Sequence, residues 1–262
     1  MTIQPRHVLC ILAEWQDFSS VRSTLAQSFP DFTLDEEFSR LSADPRMPDA
    51  FEISAIPGQS TLTDDDYEAI RSHSAVAYIL SPSMPAERAE DVSARALRLV
   101  SALLQQGASA VKSESAGLSH GREHWRKLAD EHAKFQRQGD QHAARSKLYF
   151  SWVQRPIVDA ELAVQYSVGM HLLGLPDTEV DAALDFDAAT EWLDLMGLYL
   201  AADRPTRPVL AGEGFRLAPQ GPRRIIQKQP CTRYEEDDFF FNPYGYNRLI
   251  STASSNGNST ES

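Results

Sequence analysis

Hydrophobic and polar positions alternate along this chain in blocks that switch between strand-like and helix-like periods. Residues 7–13 (HVLCILA) form an unbroken apolar run closed by Glu14, which predicts a buried strand. Over residues 15–29 the apolar positions Trp15, Phe18, Val21, Leu25 and Phe29 fall three and four apart, the stripe of an amphipathic helix, and Pro30 stops it. Residues 31–48 are mixed and contain two prolines, and they read as loop. Residues 50–56 alternate Phe51, Ile53 and Ala55 against Glu52 and Ser54, a half-buried strand ended by Pro57 and Gly58. Thr63 is placed to cap a helix whose first turn, Asp64 to Asp66, complements the positive end of the helix dipole, and that helix reaches Ser72. Residues 75–80 predict another short strand.

Pro85 opens the clearest helix, residues 86–106, with Val92, Ala96, Leu99, Val100, Leu103 and Leu104 along one stripe and Gly107 beyond its end. A strand over 108–114 and a helix over 119–138, with Trp125, Leu128, Ala129, His132 and Phe135 on one face, come next, and residues 139–146 read as a connection. The longest apolar, β-rich passage spans 148–177. It predicts a central hairpin: a strand over 147–154, a turn at 156–160 and a strand over 161–173. Gly169 within that strand marks a bulge or a close backbone neighbour. Pro176 and Asp177 turn the chain out, residues 186–202 predict an apolar helix around Trp192, Leu193 and Met196, and short strands are expected near Phe215 and Ile225. Asn242-Pro243-Tyr244-Gly245 has the residue order of a type I turn. Residues 251–262 lack apolar residues beyond Ala253 and are expected to be a disordered tail.

With no internal repeat and no linker, the pattern predicts one α+β domain over 1–250: a mixed β-sheet with helices packed mainly on one face. If the strands at 75–80 and 108–114 share a sheet and run parallel, the helix between them makes a right-handed crossover.

Charge narrows the function. A net charge of −12, from 25 basic against 37 acidic residues, repels a phosphate backbone and an anionic membrane, so neither nucleic acid nor membrane is expected as partner. No apolar run approaches the roughly 20 residues of a membrane span, and the N-terminal run is too short for a signal peptide, which favours the cytoplasm. Two cysteines suit a reducing compartment. Cys10 reads as a buried thiol, and a Cys10–Cys231 disulfide stays open.

Four clusters carry candidate chemistry. His120-x-x-Glu123-His124 fits the inverted zinc-protease pattern: histidines four apart on a helix face one way, so His120 and His124 are candidate metal ligands with Glu123 as base. The pattern needs a third ligand, and no downstream carboxylate stands out; two partly exposed histidines at a helix start are the plain alternative. Around it, Lys112 and Glu114 share a strand face before the helix start at Ser119. Free amides there, with Lys112 nearby, suit a small anion, against an ordinary ion pair and helix cap. His171, set among apolar residues, completes a candidate polar pocket of Lys112, Glu114, Ser119, His120 and His171, or is a satisfied core histidine. Last, Glu235, Glu236, Asp237 and Asp238 precede a dense aromatic run. With Phe240 and Tyr244 they form a candidate interaction surface, or else the aromatics seal the core.

At KSESAGLSHGREHW, SVGMHLLGLPD and YEEDDFFFNPYGYNRL the chain resembles bacterial proteins grouped as a domain of unknown function, over the region from Ala75 onward. The resemblance implies an α+β bacterial cytoplasmic protein encoded near contact-dependent or secretion-linked genes, and implies no catalytic residue. The expectation is therefore a non-enzymatic protein-interaction module, immunity-like or adaptor, with a protein partner and no cofactor. The alternatives are a zinc-dependent hydrolase and a small-anion-binding protein.

Overall fold

A computed structural model describes residues 4–55 and 60–251. β1 (Val8–Ala13) is buried along its whole length because both of its faces are covered. Leu9 and Ile11 enter the main core, while Cys10 and Leu12 enter a smaller cluster with Met47, Phe51 and Ile70. That is why its sequence shows no alternation. α1 (Ser19–Ser28) lays Val21 and Leu25 on the main core. β2 (Thr33–Arg40) lies where a loop was expected. It is the sheet edge, its side chains are mostly solvated, and its polar sequence gives no strand signal.

Residues expected as a strand over 50–56 belong instead to α2 (Met47–Ser54), which buries Met47, Phe51 and Ser54 on one side and leaves Ile53 80% exposed. The buried positions Met47, Phe51 and Ser54 follow four-and-three helical spacing, and the period-two pattern of Phe51, Ile53 and Ala55 is incidental; Ile56 to Gly58 lie outside the described residues. α3 (Asp64–Ser72) starts at the expected Thr63 cap, with Asp66 closing a capping box. β3 (Ala75–Leu80), α4 (Ala86–Gln105) and β4 (Ala108–Ser113) follow as expected. After a 3₁₀ turn at Glu114–Ala116 comes β5 (Leu118–His120), so Ser119 and His120 sit on a strand, not on the helix expected from 119. The first sheet has the order β2-β3-β1-β4-β5. β1 pairs antiparallel with both β3 and β4, so these two run parallel to each other on its flanks, joined through α4.

α5 (Arg122–Gln138) runs into α6 (Gln141–Trp152), which replaces both the connection at 139–146 and the strand at 147–154. Ala144, Leu148, Tyr149, Ser151 and Trp152 are all buried, and a helix enclosed on so much of its girth loses its clean apolar stripe. The hairpin follows, shifted: β6 (Gln154–Asp159) pairs with β7 (Val164–Val168). β7 ends early because Gly169 adopts φ +118, where a Cβ would stand 2.0 Å from the Trp152 carbonyl oxygen. The expected close neighbour is thus backbone. A 3₁₀ turn, Met170–Leu173, carries His171, and β8 (Asp177–Asp181), unforeseen, pairs antiparallel with β7.

α7 (Phe186–Leu198), prolonged by a π-turn at Tyr199–Asp203, precedes β9 (Gly214–Arg216) and β10 (Arg223–Gln229). β11 (Tyr246–Ser251), also unforeseen, runs parallel to β8, and Ser251 belongs to it; the remainder of the expected tail lies outside the described residues. The second sheet has the order β6-β7-β8-β11-β10-β9. The strands thus divide between two sheets. One core, running from Leu9 through Trp125 and Trp152 to Leu249, joins them in a single compact α+β fold.

Candidate binding cleft

The exposed ends of the first sheet and the segment before β11 enclose a cleft of about 700 Å³. One wall comes from β2 and β3 through Asp35, Phe38, Tyr78 and Leu80. The strand start contributes Arg6 and Val8, the turn after β4 contributes Glu114 and Ser115, and His171 lies at the back. Residues 236–241 form the opposite wall, with Phe239 and Phe241 facing in. Phe38 is 58% exposed and Phe239 56%, two large aromatic rings left to solvent in the same cleft. A stable monomer has no packing reason to keep them there, whereas a binding surface does.

The far wall is held by buried polar anchors. Arg233 donates to Asp159 at 2.7 Å and to Glu179 at 2.8 Å, and its guanidinium stacks 3.9 Å from the Tyr166 ring. Tyr234 shares a 2.6 Å hydrogen bond with the Tyr166 hydroxyl. The Asn242 amide donates to Asp177 at 2.6 Å and to the Leu175 carbonyl. Asp177 also accepts from the Ser167 hydroxyl and the Met170 N–H, so the same carboxylate fixes the turn that carries His171. Burial pushes the Asp177 carboxyl up to about 7, against the pull of its three donors.

His171 is 1% exposed. The backbone of Ser115 and Phe239 flanks its ring, yet neither ring nitrogen reaches a hydrogen bond of ordinary geometry among the described residues. Burial pushes the imidazole down to about 4, so it is neutral at pH 7. Near it, burial first and then His171 push His7 down to about 3. The Ser93 hydroxyl donates to the Leu172 carbonyl at 2.5 Å, which leaves it as acceptor for His7 Nε2 at 2.8 Å and fixes the His7 tautomer with Nδ1 unprotonated.

The charges in the cleft are unbalanced. Arg46 is neutralised by Asp44 through bonds of 2.9 and 2.7 Å, and Glu114 by Lys112 at 2.8 Å. Among the described residues Asp35, Glu236, Asp237 and Asp238 have no cationic partner, whereas Arg6 is the one lining cation without a carboxylate.

The five residues expected to share a polar pocket are therefore split. Glu114 and His171 line the cleft, and Lys112 reaches it through Glu114. Ser119 is buried elsewhere, bonded to the Ser54 hydroxyl and the Phe51 carbonyl, and His120 Nε2 donates to the Phe150 carbonyl at 3.1 Å. Of the zinc expectation, the two histidines do come together: His120 on β5 and His124 on α5 bring their rings to 4.8 Å between centroids. A third ligand is what is missing, since Glu123 is turned outward to Arg126 and no group of three or more His, Cys, Asp or Glu among the described residues is arranged to hold a metal.

The anion expected at the α5 start is the chain's own Asp66, which accepts from the Arg122 N–H at 3.1 Å. Gly121 is forced there, since a Cβ would lie 2.2 Å from the Thr61 carbonyl oxygen. Both cysteines are free thiols, and burial pushes Cys10 up to about 12.

Of the acidic–aromatic run, Glu235, Glu236, Asp237 and Asp238 are exposed. Phe240 turns inward against Tyr234, ring centroids 5.3 Å apart, and Tyr244 is half-buried beside a second hollow. The residues that sequence reasoning missed are Asp35, Phe38 and Tyr78, along with Phe239 and Phe241.

No family model, no curated protein and no solved structure matches this chain significantly. No helix among the described residues is long and apolar enough to cross a membrane.

Proposed function

We propose that this chain is a non-enzymatic binding module that receives a segment of a partner protein in the cleft between β2 and residues 236–241. The observation that carries the reading is the pair of exposed rings, Phe38 and Phe239, facing one cavity whose far wall is rigidly anchored by Arg233 and Asp177. Rigid aromatics on a fixed frame give contact area at little entropic cost. The excess of unpaired carboxylates at the rim steers a basic partner and repels nucleic acid, which suits an immunity-like or adaptor role.

A photo-crosslinking residue placed at Phe239, and in a control at exposed Leu210, tests this in the native host. The reading expects a discrete protein adduct from position 239 that disappears when Phe38→Ala is added, and none from position 210. Equal adducts from both positions would contradict it.

A further inference from the structure

We propose that the cleft holds the charged head of one lysine or arginine side chain, presented by a segment of the partner, with His171 accepting a hydrogen bond from it. This rests on the reading of the cleft as a protein-binding site and specifies what fills it.

Three independent features converge on a cation. Asp35, Glu236, Asp237 and Asp238 have no positive partner among the described residues, and Arg46 and Lys112 are already neutralised by carboxylates of the chain, so Arg6 alone stands against four unpaired carboxylates and the cleft stays net negative. An anionic ligand would have to enter against that field, and a neutral one would leave it unanswered. Phe38 and Tyr78, rings 6.5 Å apart, stand across from Phe239, and aromatic faces of this kind attract an ammonium or guanidinium while packing its aliphatic stem.

The third feature is not part of the acidic rim. His171 is enclosed and lines the cleft, and although the backbone of Ser115 and Phe239 lies beside its ring, neither ring nitrogen makes a hydrogen bond of ordinary geometry among the described residues. A neutral imidazole always carries one lone pair and one N–H. A buried acceptor left unmade costs on the order of 1–3 kcal/mol, which a donor arriving with the ligand removes. Lysine and arginine have only donors, so either one satisfies the lone pair without competing with the carboxylates.

The test uses the full chain and two short phenylalanine-flanked peptides, one containing arginine and the other citrulline, its uncharged isostere. Affinity is measured by calorimetry, and the His171 ring nitrogens are followed by nitrogen-15 NMR. The arginine peptide should bind at least about tenfold more tightly than the citrulline peptide. Its binding should shift one His171 ring nitrogen, and Asp237→Asn with Asp238→Asn, both exposed, should weaken it several-fold.

Equal affinity for the two peptides, or binding that leaves the His171 nitrogens unmoved, would overturn the inference. If neither peptide binds while the crosslink from position 239 persists, this assignment fails and the binding-module reading stands. Loss of both signals sinks both.

Discussion

The Asn242 side-chain amide lies 2.6 Å from an oxygen of the buried Asp177 carboxylate, and this contact ties the chain's acidic–aromatic segment to the turn bearing His171. Asp177→Asn puts an amide where all three partners are donors, so one N–H must face another. The substitution is expected to cost about 1–3 kcal/mol and to loosen the cleft wall. Urea denaturation gives the stability, and amide exchange at residues 236–241 should rise. Unchanged exchange there would separate the wall from the clamp.

Arg233 is nearly enclosed, between two carboxylates and two tyrosine rings. Arg233→Met keeps much of the stem but strands Asp159 and Glu179, and a loss of about 2–4 kcal/mol is expected. Adding Glu179→Gln should recover part of it. A double variant no more stable than the single one would show that packing, not charge, dominates.

Acid stability follows from the buried imidazoles. His7 and His120 are held down to about 3 and His171 to about 4, burial being the main cause in each. The unfolded chain takes up these protons as pH falls through about 6.5, while the folded chain takes them up only near 3 to 4. Each histidine therefore removes stability as pH falls below 6.5, by up to about 1.4 kcal/mol per pH unit. Asp177, raised to about 7, works the other way. The folded state holds that proton below 7 and the unfolded state only below about 3.8, so its contribution grows as pH falls across that window. Carboxylates held low by arginines, such as Asp44 and Asp159, lose their contribution only below about pH 4. These four groups together give a fall of about 3 kcal/mol per pH unit between pH 5.5 and 4, reduced by roughly one proton's slope in His171→Gln, and His124 and His132, also pushed down by burial, act in the same direction. Urea midpoints at stepped pH check it, and stability that is flat or rising toward acid would contradict it.

Gly169 has no room for a side chain, with the Trp152 carbonyl 2.0 Å from where a Cβ would stand and a φ of +118. Gly169→Ala should cost upward of about 3 kcal/mol, well beyond the ordinary loss at a positive-φ glycine. Gly139→Ala is the control, since open space surrounds that position, and it should cost only about 1 kcal/mol.

Much of the fold is legible where a short apolar run, a helix cap or a one-sided stripe marks an element. β1, β3, β4, α3 and α4 were read correctly because run length, caps or a stripe identified them. β2 failed because an edge strand has few apolar residues to announce it, and α6 because burial on many sides erased its stripe. The cleft suffered from the same errors. Asp35 and Phe38 went unseen with β2. Glu114 and His171 stand out in the sequence as polar residues near apolar runs, but the pattern puts Ser119 and His120 on a helix that begins only at Arg122. The acidic run was plain in the sequence, yet which phenylalanine faces outward depended on how Asn242 and Arg233 pin the segment, and no local pattern encodes those long-range contacts.

Hydrogen exchange of the full chain with and without the arginine peptide is the most direct test of the cleft as the binding surface. The account predicts slowed exchange confined to residues 35–38 and 236–241. Protection centred instead on the hollow around Cys231 and Tyr244, or on β9 and β10, would contradict it.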